Sequence, residues 1–448
     1  MTETNVSTIT PEVSAMLADI ALPRTLYGGT KAMRAAGKTY LPKEAAESED
    51  SYRDRLSRST LFNAFGKTVK DMAGRVFAKE LALGKDAPTK IAEWCENVDM
   101  TGRNLSVFAR DVFTDALQTG VSYILVDMAK KGENLTRADE ISMGLRPYLI
   151  DLKVEDIIGW RAEAVNGKVA LTQLRIFESI TEPSSAWAAT QTKQIRVLSP
   201  YAYQVWRQND KKDWYLFDEG TRELAEITLA PVYTNRTGFM QGLPPLQDLA
   251  DLNVAHWQSS SDQRSILHVA RVPILFASGV PETASLVIGS SAMTRATDPN
   301  ASLQFVEHSG AAIASGREDI KELEFQMQAM GLQLLASRTH KTVVGEVRDD
   351  VRETSPLAAM AGSLKDALEN ALTHMAKLGG LGDDGGSVDI NKEFGAGSFS
   401  SVDLQTLMNA VNTGLIARRT FWGELKRRGV LSDSFDEVAE EEALSVQA

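Results

Sequence analysis

Pro244-Pro245-Leu246-Gln247-Asp248-Leu249-Ala250-Asp251-Leu252-Asn253-Val254-Ala255-His256-Trp257 opens the stretch, running on to Arg352, whose reading decides the fold of this chain. The proline pair has the fixed φ that suits a first helical turn. Leu246, Leu249, Leu252, His256, Trp257 and Leu267 then recur at helical spacing, and the pattern stops before Pro273. A second pattern carries Ile320, Leu323, Met327, Met330 and Leu334, spaced 3, 4, 3 and 4 residues apart, which is the a/d seam of a packed helix pair. From Leu246 to His268 the first helix is roughly 35 Å long at about 1.5 Å per residue. The stretch offers no other element to cover both rods. The reading is therefore a spoke packed against copies of itself, and spokes imply a ring.

Between the helices, strand-like Ile274–Ala277 and Leu303–Val306 flank a Ser/Gly/Thr-rich middle with the apolar run Leu286-Val287-Ile288. That composition suits strand pairing between neighbouring subunits and docking of an outside component. Upstream, residues 1 to about 50 read as loosely ordered, with a short helix Pro11–Ile20 and a turn at Gly28-Gly29. A single amphipathic helix is expected over Ser51–Phe77, then helices Ala87–Glu96 and Leu105–Thr119, the latter ended by Gly120. The period falls to two from Val121 to Asn235. Strands are expected at Ser122–Asp127, Pro147–Leu152, Lys168–Phe177, Gln194–Leu198, Tyr203–Arg207, Trp214–Phe217 and Ile227–Tyr233, with turns at Asn166-Gly167 and Gln208-Asn209-Asp210. Downstream, Gly345 interrupts the helical pattern, and Ser355-Pro356 reads as the cap and first residue of a helix reaching about Leu378. Glycines between Gly379 and Gly386 make a break before short helices Val402–Thr413 and Arg418–Arg428 and an acidic tail. The fold class is α+β with a mainly antiparallel sheet.

At 448 residues the chain is long enough for two or three domains, and 43% hydrophobic with 24% charged residues is the balance of a globular protein. No apolar run approaches the ~18 residues that a membrane helix needs. The polar start, Met1 to Pro11, lacks a basic n-region and does not read as a signal peptide. One cysteine, Cys95, excludes an intrachain disulfide. The formal net charge of −12 is opposite to that of a protein built to grip nucleic acid. Any nucleic-acid role is one in which holding on is undesirable.

Enzyme signals are present and weak. Ala32-Met33-Arg34-Ala35-Ala36-Gly37-Lys38-Thr39 fits a relaxed phosphate loop, and Tyr123-Ile124-Leu125-Val126-Asp127 resembles a strand ending in a magnesium-binding aspartate. A working phosphate loop needs a strand before it and a helix after it. Here Leu26-Tyr27-Gly28-Gly29 precedes, and Pro42 follows within a turn. The five histidines, His256, His268, His308, His340 and His374, show no i, i+4 ligand spacing, and no G-x-S-x-G nucleophile elbow occurs. No enzymatic activity, cofactor or metal is expected.

Several local strings resemble those of the portal proteins of tailed bacteriophages, in a less studied branch. They are Tyr40-Leu41-Pro42 before Ser51-Tyr52-Arg53-Asp54-Arg55-Leu56, Arg146-Pro147-Tyr148 before Glu155-Asp156-Ile157-Ile158-Gly159-Trp160-Arg161, and Leu243-Pro244-Pro245-Leu246 through Asn253, His256 and Ser260-Ser261-Asp262. Gly414-Leu415-Ile416-Ala417-Arg418-Arg419-Thr420-Phe421 leading to Leu425 resembles the family's closing helices. The resemblance implies a portal fold with an α/β wing (1–243), stem helix 1 (244–272), a small α/β clip (273–315), stem helix 2 (316–344), a tunnel loop and following wing helix (345–378) and a helical crown with acidic tail (379–448). It implies a homo-oligomeric ring, typically a dodecamer, at one capsid vertex of the virion, assembled in the host cytoplasm. Double-stranded DNA passes through such a ring. The implied partners are the terminase large subunit, a head–tail adaptor and a major capsid or scaffolding protein, with no membrane.

Within that frame Leu246, Leu249, Leu252, Trp257, Ile320, Leu323, Met327, Met330 and Leu334 are expected to pack between subunits of the stem; the plain alternative is that Met327, Met330 and Leu334 simply pack in a monomeric domain. Arg338, Lys341, Arg348 and Arg352, interleaved with Glu346, Asp349 and Asp350, are expected to line the channel as sparse rings of positive charge. Dense basic lining makes a channel sticky through counterion release, so a conduit needs few such groups on an acidic background. The plain alternative for these residues is ordinary surface ion pairing. Two rival functions are a packaging ATPase or nuclease using Lys38 and Asp127, and a neck or capsid protein without a DNA channel.

Overall fold

The computed structural model describes residues 5–128, 144–165, 167–209, 211–222, 224–271, 274–278, 300, 302–306, 311–333 and 356–391, and in the C-terminal segment 405, 408–411, 413–427, 431, 435–436 and 439–441. Helices α1 (Pro11–Tyr27), α2 (Gly29–Ala36), α3 (Glu49–Arg58), α4 (Ala64–Val76), α5 (Thr89–Cys95) and α6 (Leu105–Thr119) build the N-terminal part. The expected short helix after Pro11 is thus longer, and the segment to residue 50 is ordered by burial of Val13, Met16, Ile20, Pro23 and Leu26 along α1. The expected single helix Ser51–Phe77 is two. Ser59 leaves helical geometry, and Asn63 restarts the chain by accepting a hydrogen bond from Gly66 N–H as an N-cap. Gly120 ends α6 in the left-handed region, as expected.

The short strand β1 (Ala82–Leu83) precedes α5. The central strand β2 (Val121–Met128) pairs with β3 (Pro147–Leu152) and β9 (Leu229–Tyr233), both antiparallel. β2 is buried on both faces, which explains its unbroken apolar run. Ile124 and Val126 face a large core shared with α4, α5, α6 and a later helix; Val121, Tyr123 and Leu125 face a second core with α1 and the other sheet. That sheet has five strands in the order β4 (Ile157–Val165), β5 (Lys168–Ser185), β6 (Ala188–Ser199), β7 (Ala202–Gln208) and β8 (Trp214–Thr221), all antiparallel. β4 pairs with β5, Val165 opposite Lys168, which fits the hairpin expected there; Asn166 itself lies outside the described residues. β4 was absent from the sequence reading, because only its first residues are buried and its outer half, Glu163–Val165, has no apolar face to alternate.

A small strand pair, β10 (Arg236–Gly238) and β11 (Gln241–Gly242), leads into α7 (Gln247–Ala270). The strand-like stretches are strands, β12 (Ile274–Ser278) and β13 (Ser302–Val306), and they pair antiparallel with each other inside one chain, Ile274 opposite Val306, where pairing between neighbouring subunits was the expectation. α8 (Ala311–Gln333) returns, α9 (Pro356–Leu378) packs on β9 and β2, and β14 (Val388–Asp389) pairs with β1. α9 begins at Pro356 and ends at Leu378 as read from the sequence, with eleven residues from Leu357 to Ala376 buried. α10 (Arg418–Arg427) lies in the C-terminal segment, where Trp422 packs edge-on against Phe435. Among the described residues no helix is long and apolar enough to cross a membrane.

Candidate functional site

The junction between body and hairpin is locked by two glycines. A Cβ at Gly120 would lie 2.2 Å from the carbonyl oxygen of Leu243, and one at Gly242 would lie 2.6 Å from the backbone of Gly120. Gly120 C=O also accepts from Thr234 and Asn235 N–H at 3.0 and 3.1 Å. Backbone meets backbone here, so the departure of α7 from Pro244 is fixed by sequence positions more than 100 residues apart.

The first two-thirds of α7 then lie in a seat made by the N-terminal helices. Asn253 is fully buried; its Oδ1 accepts from Phe65 N–H at 3.0 Å and its Nδ2 donates to Phe62 C=O at 2.8 Å. Gln258 donates to Tyr40 C=O at 3.0 Å, Ser59 donates to the Ser261 hydroxyl at 2.8 Å, and Arg264 donates to Arg58 C=O at 3.2 Å. Arg55 is buried, donates to both oxygens of Glu47 at 2.9 and 2.8 Å and to Pro42 C=O at 2.7 Å, and meets Asp262 at 3.4 Å. The bond to Glu47 raises the Arg55 guanidinium and holds Glu47 below the usual carboxylate range, whereas burial pushes Asp262 up. Tyr52 completes the seat by donating to Leu41 C=O at 3.1 Å. The strings at 40–42, 51–56 and 253–262, far apart in sequence, are one structural unit.

α7 and α8 form an antiparallel hairpin. His256 Nε2 lies 3.3 Å from Glu324 Oε1, and Gln263 donates to Ile313 C=O at 2.8 Å. Gly316 allows the close approach, since a Cβ there would sit 2.4 Å from Gln263 Oε1. His256 is a packed residue of the protomer, its ring 5.2 Å from that of Phe62.

The structure corrects part of the expected stem seam. Leu246, Leu249, Trp257 and Met327 are buried within the protomer, at 2% exposure or less, in the same core as α4, α6 and α9. Their side chains pack inside the protomer. The idea that both rods lack a partner within the chain fails for the same reason: polar anchors at Asn253, Gln258, Ser261 and Asp262 tie α7 down, and hydrophobic periodicity does not register them. Leu252, Ile320, Leu323 and Met330 are half-buried. Phe325 on α8, which the seam pattern passes over, is 66% exposed. Leu334, Arg338, Lys341, Arg348 and Arg352 lie outside the described residues.

The two residues of the enzyme rival have structural partners. Lys38 lies in a 3₁₀ turn after α2, within a helix–turn segment and not between strand and helix; its ammonium meets Glu49 at 3.0 Å. Asp127 is paired with Arg196, which also meets Glu178 at 2.6 Å. Burial pushes the Cys95 thiol up to about 12, away from nucleophilic use. No cluster of three metal-binding side chains occurs among the described residues.

Residues 245–378 match the family described as Domain of unknown function (DUF4055), limits that fall at the start of α7 and the end of α9. No curated protein matches the chain. Among solved structures, a chain of the virion of a native gene transfer agent (GTA) particle is similar at 11% identity and a TM-score of 0.39, covering 90% of this chain and 96% of that one. A chain from the neck of the empty GTA particle, computed with C6 symmetry, is similar at 12% identity and a TM-score of 0.38, with 85% and 89% covered. One from the neck of the native particle, computed with C12 symmetry, gives 12%, 0.38, 83% and 87%. At such scores the likeness carries no argument of its own.

Proposed function

We propose that the chain is a non-enzymatic portal of a phage-like particle: a ring, typically of twelve copies, at one capsid vertex, through which double-stranded DNA passes during packaging and ejection. The observation that carries the reading is the hairpin of α7 and α8, joined through the β12–β13 pair and seated on an α/β body by the strings on which the portal resemblance rests. In this reading the body is the wing, the hairpin the stem, and the β12–β13 module the clip that meets the terminase motor and then the neck adaptor. The charge supports passage over gripping. α7 and α8 carry seven acidic side chains against three basic ones, Arg264, Arg317 and Lys321. A DNA path with that background binds phosphates at few points and releases them readily.

Mass photometry of the purified chain tests assembly: the reading predicts one dominant ring species and no nucleotide turnover. ATP hydrolysis that is lost in Lys38→Ala contradicts it in favour of a packaging enzyme.

A further inference from the structure

The hairpin of β5 and β6 outruns the sheet to which it belongs. β4 covers β5 only between Lys168 and Ile176, and β7 covers β6 only between Gln194 and Ser199. The ladder nevertheless continues from Glu178 opposite Gln194 to Ser185 opposite Ala188. This leaves a two-stranded arm of about six to eight residues per strand, roughly 20–27 Å at about 3.4 Å per residue. Most of its residues are exposed, and an isolated ribbon of this kind is marginal in water. At the tip stands Trp187, 99% exposed. A large apolar ring fully in water on an ordered arm is a contact without its partner.

The arm is braced about midway along its length. The Arg207 guanidinium stacks 3.6 Å from the centre of the Phe217 ring and donates to Glu182 at 2.9 Å, while Thr192 donates to Glu182 at 2.7 Å. The β7–β8 turn lies near the level of Gln194, short of the arm's end, so the tip cannot reach β8 of its own sheet.

β8 offers what the arm lacks. It is an edge of the five-stranded sheet, with Tyr215, Leu216 and Phe217 exposed at 45%, 39% and 51%. Its stretch from Asp213 to Thr221 holds only acidic charges, whereas the outer half of β6, Ala188–Lys193, has Lys193 as its only charged residue. We infer that the arm of one copy docks on the β8 edge of the next copy, with Trp187 on the exposed Tyr215–Phe217 row. An arm-to-edge contact uses two different surfaces and therefore propagates from copy to copy, closing where the rotation allows. Strand addition at a free edge supplies the hydrogen bonds and the apolar row supplies the anchor. The inference rests on the ring reading and names the clasp that would close such a ring.

The test places a photoreactive benzoylphenylalanine at position 187 in the assembled full chain, mixing ¹⁴N and ¹⁵N copies so that links between copies are told from links within one. The expected product joins residue 187 of one copy to 213–221 of another. In parallel, Trp187→Ser raises the concentration for half-assembly about tenfold, as loss of an interface aromatic does, with an unchanged melting midpoint. Rings that form equally well with Trp187→Ser, or links that go elsewhere, overturn the clasp and leave the ring standing. A wild-type chain that stays monomeric overturns both.

Discussion

Asn253 shows how a single side chain ties the hairpin to the body. Both of its amide atoms are used, one by Phe65 N–H and one by Phe62 C=O, in a fully buried position. Asn253→Ala strands both backbone groups, and should cost about 2–4 kcal/mol, measured by urea unfolding. Two carboxylates set opposite pH trends. Burial pushes Asp151 up to about 6, and its Oδ1 has no hydrogen-bond partner. An acid raised on folding is a charge the folded state resists, so stability falls as pH rises from about 4 to 6. Asp151→Asn is therefore expected to stabilise the chain at pH 8 by on the order of 2 kcal/mol and to change little at pH 4, read from melting midpoints at both. Asp99 goes the other way. Its bonds from Thr101 and Arg103 outweigh burial and hold it at about 2, so its contribution is present above the ordinary carboxylate range and is lost as pH drops towards 2.

At the scale of elements, the α7–α8 hairpin depends on the close approach at Gly316. In Gly316→Leu the new side chain displaces Gln263 and breaks its bond to Ile313 C=O, so hydrogen–deuterium exchange in 311–333 should rise at least tenfold while 105–128 stays protected. Unchanged protection in 311–333 would show that the contact does not hold the hairpin. The sequence was legible where one face of an element is buried. α6, α9 and β3 ended where caps, a proline and alternation placed them. The arm was missed because its half-buried positions, Glu178, Ile180 and Glu182, are mostly charged and so give no apolar period of two, and because Pro183 argues against a strand. The break at Ser59–Asn63 was missed because Phe62 and Phe65 continue the apolar spacing across it. The seat around α7 was missed because its currency is buried amide and hydroxyl groups at Asn253, Gln258 and Ser261, which hydropathy counts as exposed.

For the whole molecule, burial of Leu246, Leu249, Trp257 and Met327 inside the protomer shifts where the proposed ring would hold together. In the proposed ring, the half-buried Leu252, Ile320, Leu323 and Met330 and the arm at Trp187 are the surfaces expected to meet neighbours. The basic residues proposed for the channel are expected to be separable from assembly. Lys341→Ala should alter DNA retention in packaged particles and leave the ring population unchanged; loss of rings in that variant would assign Lys341 to assembly. The most direct measurement is electron microscopy of the purified full chain with class averages of the assembled species. The account predicts closed rings with a central hole and a narrow stem. Averages that show single copies at high concentration, or closed particles without an axial hole, contradict it.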